Sequence, residues 1–181
     1  MFLKTQLSWD LMIPSESLDC SSGKMLQKAV LVCLMAEVAE RKASIESGIF
    51  VAVKDIHSIG EGKIRTHPGN FIFPVKFSCI TFKMLPGEVL EGTVYKVIKH
   101  GVFLTCGPAD KVYLSHRTMS EYEYFPGEPP FFKNLKSVKI EKGTVVRFVV
   151  LGHKFDEAEK EFRTVVSLDA LEDYYLGPVP S

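Results

Sequence analysis

The sequence predicts an α+β fold in two parts, a sheet carrying one helix followed by a small five-stranded barrel. Three observations predict it. Apolar residues recur at helical spacing in one stretch, residues 25–41. Residues 87–115 read as three short strands punctuated by glycines, and residues 143–152 and 164–168 supply two more strand patterns. At 181 residues the chain has length for one large or two small domains. The reading is two, residues 1–82 and 83–181, with 83–86 as the hinge.

In the first part, Phe2, Leu7, Trp9, Leu11 and Ile13 are apolar with mostly alternating spacing, so an opening strand runs to Pro14 and residues 14–17 turn. Ser21 or Ser22 supplies a helix N-cap, and Met25, Ala29, Val30, Leu34 and Val38 give the helix its period. Residues 29–36 are apolar nearly all round, so this helix needs covering on two sides: its own sheet and a second subunit. The competing reading is a helix enclosed within its own domain, which some eighty residues supply with difficulty. Residues 44–48 form a polar connection. A long strand over 49–59 then reaches the tip Gly60-Glu61-Gly62, residues 63–66 return, 67–70 turn, and 71–82 make a strand broken at Pro74. One strand, a helix and several antiparallel strands make an α+β sandwich.

In the second part, Val89, Val94 and Val97 alternate with polar residues, with a slip assigned to Gly92, where a bulge or bend is expected. Gly101 lets the chain reverse into a strand over 102–105, residues 107–110 turn, and 111–114 form the third strand. Residues 115–119 make a single helical turn. An insertion over 121–142, rich in proline and aromatics, reads as too broken for an ordinary strand or helix. After the fourth strand, 155–163 form a charged hairpin loop before the fifth.

Twenty-two basic residues balance twenty-two acidic ones, which excludes a grip on nucleic acid through bulk charge. Charge is uneven locally: residues 87–155 hold ten basic against seven acidic residues, and 156–181 two against seven. That division suits a weak RNA path on one face and a protein contact on another. Cys20, Cys33, Cys79 and Cys106 form no C-x-x-C pair, so no zinc site is expected, and they read as small apolar residues of a reducing compartment. The first residues carry no basic leader and no stretch is an uncharged membrane span, so a soluble intracellular chain is expected. Catalysis finds no footing: P-loop and G-x-S-x-G motifs are missing, and His57, His67, His100, His116 and His153 lack ligand spacing. The expectation is no enzyme, no cofactor and no metal.

The glycines, valines and phenylalanine of 87–115 resemble the small OB-type barrel repeated in the ribosomal protein that binds single-stranded mRNA. Such barrels take single strands across their second and third strands. The resemblance implies that Phe103, just after the glycine turn, stacks on a base, with His100 before the turn and Tyr113 on the third strand. Both depart from the pattern, His100 standing in for an aromatic and Tyr113 for a histidine, though each still offers a flat ring. The competing reading is that Phe103 and Tyr113 only close the barrel.

The two-domain layout, the Gly60-Glu61-Gly62 tip, the strand with Pro-Val-Lys inside it, the barrel and the closing Glu172-Asp173-Tyr174-Tyr175-Leu176-Gly177 together resemble the larger stalk subunit of multisubunit RNA polymerases. This is the family of the seventh subunit of RNA polymerase II and of its archaeal counterpart, and the resemblance spans the chain. It implies a truncated-RNP-like domain over 1–82 and an OB-fold RNA-binding domain over 83–181. It implies a nuclear, non-catalytic subunit that pairs with a smaller fourth-subunit-type partner, the helix residues Val30, Leu34 and Val38 being the contact expected from their apolar spacing. Docking on the large core subunits falls to Gly60, Glu61, Gly62, Lys63 and Arg65. Emerging single-stranded transcript falls to Phe103 and Tyr113, with Lys96, Lys99, His100, Lys154 and Arg163 at phosphates. The proline-aromatic insertion is nearer the polymerase II form than the archaeal or polymerase III forms. Divergence elsewhere resembles a plant paralogue serving polymerases IV or V, in RNA-mediated silencing. The alternative is a free-standing OB-fold factor in RNA decay or translation, which the doubly apolar helix argues against.

Overall fold

Phe2–Pro14, with exposure alternating residue by residue, forms β1 in the computed structural model, which describes residues 1–18, 23–65, 69–169 and 175–180, with the backbone alone at 23–25. The chain divides into two units, Phe2–Lys83 and Met84–Ser181, Met1 being counted with the second. The expected cap residues Ser21 and Ser22, with Cys20 and His67, lie outside the described residues.

In the first unit β1 is followed by the helix α1 (Gly23–Arg41), β2 (Ala43–Ser44), β3 (Gly48–Ile59), β4 (Lys63–Ile64) and β5 (Asn70–Phe82). The sheet order is β1-β5-β3-β2, with β4 also on β5. β1 and β5 pair antiparallel from Phe2↔Phe82 to Pro14↔Asn70 without a shift. The break expected at Pro74 does not occur. Within a strand a residue's nitrogen and carbonyl point the same way, and the Pro74 carbonyl accepts from the Gly60 N–H at 2.8 Å, beyond the last β3 pair, Ile59↔Val75. Its donorless nitrogen therefore faces the gap between β3 and β4, where no ladder bond is lost. The connection expected to be merely polar holds β2, and its turn is closed by the Ser47 N–H donating to Ser44 Oγ at 3.0 Å.

α1 ends at Lys42, whose left-handed φ of 56° lets its N–H return to the Val38 carbonyl at 3.2 Å. One helix face, Val30, Leu34 and Val38, is sealed against Leu11, Ile13, Val75, Phe77 and Cys79. Trp9 meets Phe50 and Phe77 edge-on at 5.5 and 5.0 Å and carries the Arg41 guanidinium 4.2 Å above its ring.

The second unit holds β6 (Val89–Ile98), β7 (Gly101–Cys106), β8 (Ala109–Ser115), β9 (Tyr122–Phe125), β10 (Phe131–Asn134), β11 (Lys139–Ile140), β12 (Val145–Asp156), β13 (Glu161–Ser167) and β14 (Gly177–Pro178). Strands run β13-β8-β7-β6-β12, and β12 pairs with β13 to close a five-stranded OB-type barrel, β14 adding to β12. Val94, Val102, Leu104, Val112, Leu114, Val146, Phe148, Val150 and Val166 fill it.

Several boundaries differ from expectation. The slip in β6 lies at Tyr95 rather than Gly92, since pairing passes through Val146↔Gly92 in register and jumps between Val94 and Lys96. Gly92 is demanded by proximity instead: a Cβ there would sit 2.8 Å from the Thr105 carbonyl oxygen. The 107–110 turn contracts to two residues, because Cys106 already pairs with Ala109. The charged loop 155–163 is mostly ladder; pairing runs to Asp156↔Glu161 and leaves four residues to turn. The insertion, read as too broken for an ordinary strand or helix, holds three short strands. β9, β10 and β11 make an antiparallel sheet of their own, with Phe132 and Ile140 fully buried and His116 and Tyr124 against the Phe132 ring.

Tyr122 anchors this small sheet. Its ring is buried, and Gly177 is bare where a Cβ would come 3.3 Å from its hydroxyl. Burial pushes the Tyr122 phenol up to about 12, with Tyr175 and Glu121 adding and an Asn134 hydrogen bond opposing. Because the folded value lies above the unfolded value near 10, the folded chain keeps a proton that the unfolded chain releases. Stability is therefore fully present below pH 10 and falls as pH rises from 10 toward 12. Chemical denaturation at stepped alkaline pH should show that fall, and Tyr122→Phe should reduce it.

Candidate nucleic-acid interface

On the outer face of β6, β7 and β8 three aromatic rings stand in a row. Phe103, half-buried, lies 6.2 Å from Tyr95 on one side and 5.1 Å from Tyr113 on the other, centroid to centroid. Alternation explains why they point outward: in β7 the neighbours Val102 and Leu104 fill the barrel, and in β8 Val112 and Leu114 do. The ladder sets Phe103 opposite Tyr113.

The β6–β7 turn fixes Tyr113. Its hydroxyl donates to the His100 carbonyl at 2.8 Å, and its ring crosses Gly101, where a Cβ would run into the Leu114 carbonyl oxygen. Only glycine admits that approach. Lys96 pairs with Phe103 across the ladder, and Lys99 and His100 are exposed at the turn. Five expected residues, Lys96, Lys99, His100, Phe103 and Tyr113, thus gather around one hairpin and its neighbour strand.

Lys154 and Arg163 face each other in the β12–β13 ladder instead. β13 runs parallel beside β8, with Val165 opposite Tyr113, so Arg163 stands one strand along from the ring row. It is already bonded to Asp156 at 3.0 Å, as Lys111 is to Glu161 at 3.4 Å. Among the described residues Lys96, Lys99 and Lys154 carry no ion pair, so a phosphate meets them without displacing a carboxylate. Tyr95 is absent from the expected set. Its signal lay between Val94 and Val97, where two residues intervene and alternation allows one.

The helix expectation needs correction. Val30, Leu34 and Val38 have exposures of 0, 0 and 7%, so they belong to the unit's own core, and of the three Val38 alone reaches the edge of an outer groove. Spacing of four residues gathers apolar side chains on one face, and the sheet takes that face first. Among the described residues, the large apolar side chains that the helix leaves exposed are Leu31, Val32 and Met35. Leu31 and Met35 line a groove of about 410 Å³ with Ile49, Phe50 and Val53.

At the tip, the glycines serve the hairpin itself. A Cβ on Gly60 would meet the Pro74 ring at 2.6 Å, and one on Gly62 the Phe73 ring at 2.5 Å. Glu61, Lys63 and Arg65 stay exposed beside Ile64, while the Arg65 N–H donates to the Asn70 carbonyl at 2.9 Å.

Burial pushes the Cys33, Cys79 and Cys106 thiols up, which suits packing rather than thiolate chemistry. Among the described residues no three His, Cys, Asp or Glu side chains are grouped to hold a metal ion. No helix of the described residues is long and apolar enough to cross a membrane.

A family model described as the SHS2 domain found in the N terminus of Rpb7p/Rpc25p/MJ0397 matches residues 13–69. Over 99% of its length the chain is 51% identical to DNA-directed RNA polymerase V subunit 7 of Arabidopsis thaliana, of which it covers 98%. It is 45% identical to polymerase IV subunit 7 of the same plant, over 93% of this chain and 96% of that one. Against DNA-directed RNA polymerase II subunit RPB7 of Glycine max the identity is 33%, over 87% of this chain and 86% of that one.

Proposed function

Because the chain belongs to the subunit 7 family of DNA-directed RNA polymerases, we propose that it is the non-catalytic stalk subunit of a nuclear polymerase of the IV/V type, binding emerging transcript on its barrel. The observation that carries the reading is the 51% identity with a polymerase V subunit across nearly the whole of both chains, against 33% with a polymerase II subunit. The proposed role includes the RNA-mediated silencing that the resemblance to the IV/V paralogue implies. The row of Tyr95, Phe103 and Tyr113 beside unpaired lysines supports a single-stranded ligand, since bases stack on such rings regardless of sequence while lysines follow the phosphates. With zero net charge, affinity stays modest unless the polymerase holds the strand nearby.

The fourth-subunit-type partner belongs on the outward helix face. Leu31, Val32 and Met35 are apolar and 40, 59 and 58% exposed, a surface that favours burial against another protein. Core docking falls to the tip, where Glu61, Lys63 and Arg65 offer charges of both signs around exposed Ile64. Affinity purification of the tagged chain from native extract tests the whole reading. The expected result is recovery of the largest subunit of a polymerase IV or V together with a smaller stalk partner. Recovery of the chain alone would overturn it in favour of a free-standing RNA-binding factor, and recovery with polymerase II alone would overturn the assignment to IV/V.

A further inference from the structure

In a regular strand two successive residues point to opposite faces, so Tyr95 and Lys96 should straddle the barrel wall. They do not. Pairing moves from Val94↔Leu104 to Lys96↔Phe103, which leaves Tyr95 as an extra residue in β6, and both side chains remain in solvent. A bulge re-aims a side chain in this way. Tyr95 is 40% exposed, its ring 6.2 Å from that of Phe103, and its hydroxyl has no hydrogen-bond partner among the described residues. Tyr113 differs, being tied to the turn by its hydroxyl and lying across Gly101. The β6–β7 turn uses Tyr113 and does not use Tyr95.

We propose that Tyr95 is a further RNA-stacking residue, presented by the bulge side by side with Lys96 so that a base and its adjoining phosphate meet neighbouring residues of one strand. The inference rests on the reading that the barrel binds single-stranded RNA. It extends the stacking surface from β7 and β8 onto β6 and makes the bulge a binding device rather than an irregularity. A ring supplies stacking whatever the base, whereas the lysine supplies a charge whose contribution fades with salt. The two residues therefore leave separable signatures.

The test is fluorescence anisotropy of a labelled twelve-nucleotide oligouridylate RNA with the full chain, over a series of salt concentrations. Tyr95→Ala should weaken binding roughly 5- to 150-fold at every salt concentration, without changing the salt slope. Tyr95→Phe should bind as the parent does, and Lys96→Gln should flatten the slope by about 0.7. Photo-crosslinking of the unsubstituted chain to 4-thiouridine RNA gives a readout independent of variant folding, with adducts expected on Tyr95. If Phe103→Ala loses binding while Tyr95→Ala stays within about twofold of the parent, the Tyr95 assignment fails and the RNA reading stands. Adducts confined to β12 and β13 sink the assignment in the same way. If the unsubstituted chain gives neither anisotropy change nor adduct, the RNA reading fails and takes this inference with it.

Discussion

Leu34→Asp should abolish the cooperative melting of the first unit, whereas Met35→Asp, one residue along, should leave it in place. Leu34 is fully buried and packs with Ile13, Val30 and Phe77 at the centre of that unit's core, with no basic side chain among those contacts to pair a carboxylate. An uncompensated buried charge costs about 3–5 kcal/mol or more, a large share of the roughly 5–15 kcal/mol that holds a domain together. Met35 is 58% exposed, and a polar change there shifts stability by about 0.5 kcal/mol or less. Thermal circular dichroism of the full chain separates the two. Co-purification then adds the complementary result: Met35→Asp should fold and yet recover less of the smaller stalk partner. Loss of melting in Met35→Asp with melting retained in Leu34→Asp would mean that the inward and outward faces of α1 are assigned the wrong way round, and equal melting of both would mean that the burial of Leu34 does not decide the unit's stability.

Phe103→Ala should lower affinity for single-stranded RNA by roughly 5- to 150-fold, the contribution of one stacked base. Phe103 holds the middle of the row, in contact with both Tyr95 and Tyr113, so its loss also removes support from two neighbours. The barrel should survive, because the side chain lies outside the packed interior formed by Val102, Leu104 and Val112. Assembly with other subunits should be untouched. Anisotropy with an oligouridylate, paired with affinity purification of the same variant, checks both halves. A variant that assembles poorly and binds RNA normally would reverse the division of labour between the two units.

Most of the barrel was legible in the sequence, for a physical reason. Period-two burial in β7, β8 and β12 leaves valines and leucines facing in, and glycines mark the places where backbones approach. What alternation could not convey was length. β12 and β13 run on into residues such as Asp156, Glu161 and Arg163, whose charged side chains read as a loop although their backbones pair in register. The insertion misled through its prolines, which fall among residues 126–130 between β9 and β10 and interrupt neither strand. The helix misled differently. Its apolar spacing named Val30, Leu34 and Val38, but spacing cannot say whether a stripe faces the chain's own sheet or another protein. Leu31, Val32 and Met35, which the all-round apolar reading of 29–36 included without singling out, are the large apolar ones left outside.

β8 finds its second neighbour in β13, Val112 opposite Thr164 and Leu114 opposite Val166, in parallel across the whole insertion. During synthesis the ribosome therefore delivers β6, β7, β8 and β12 while one flank of β8 still waits for a strand. A reading-frame error or stop codon between β12 and β13 would do more than shorten the barrel by one stave, since β13 closes it against both β8 and β12. It would leave an open ribbon with an adhesive border, a substrate for chaperones and proteases rather than a weakened subunit.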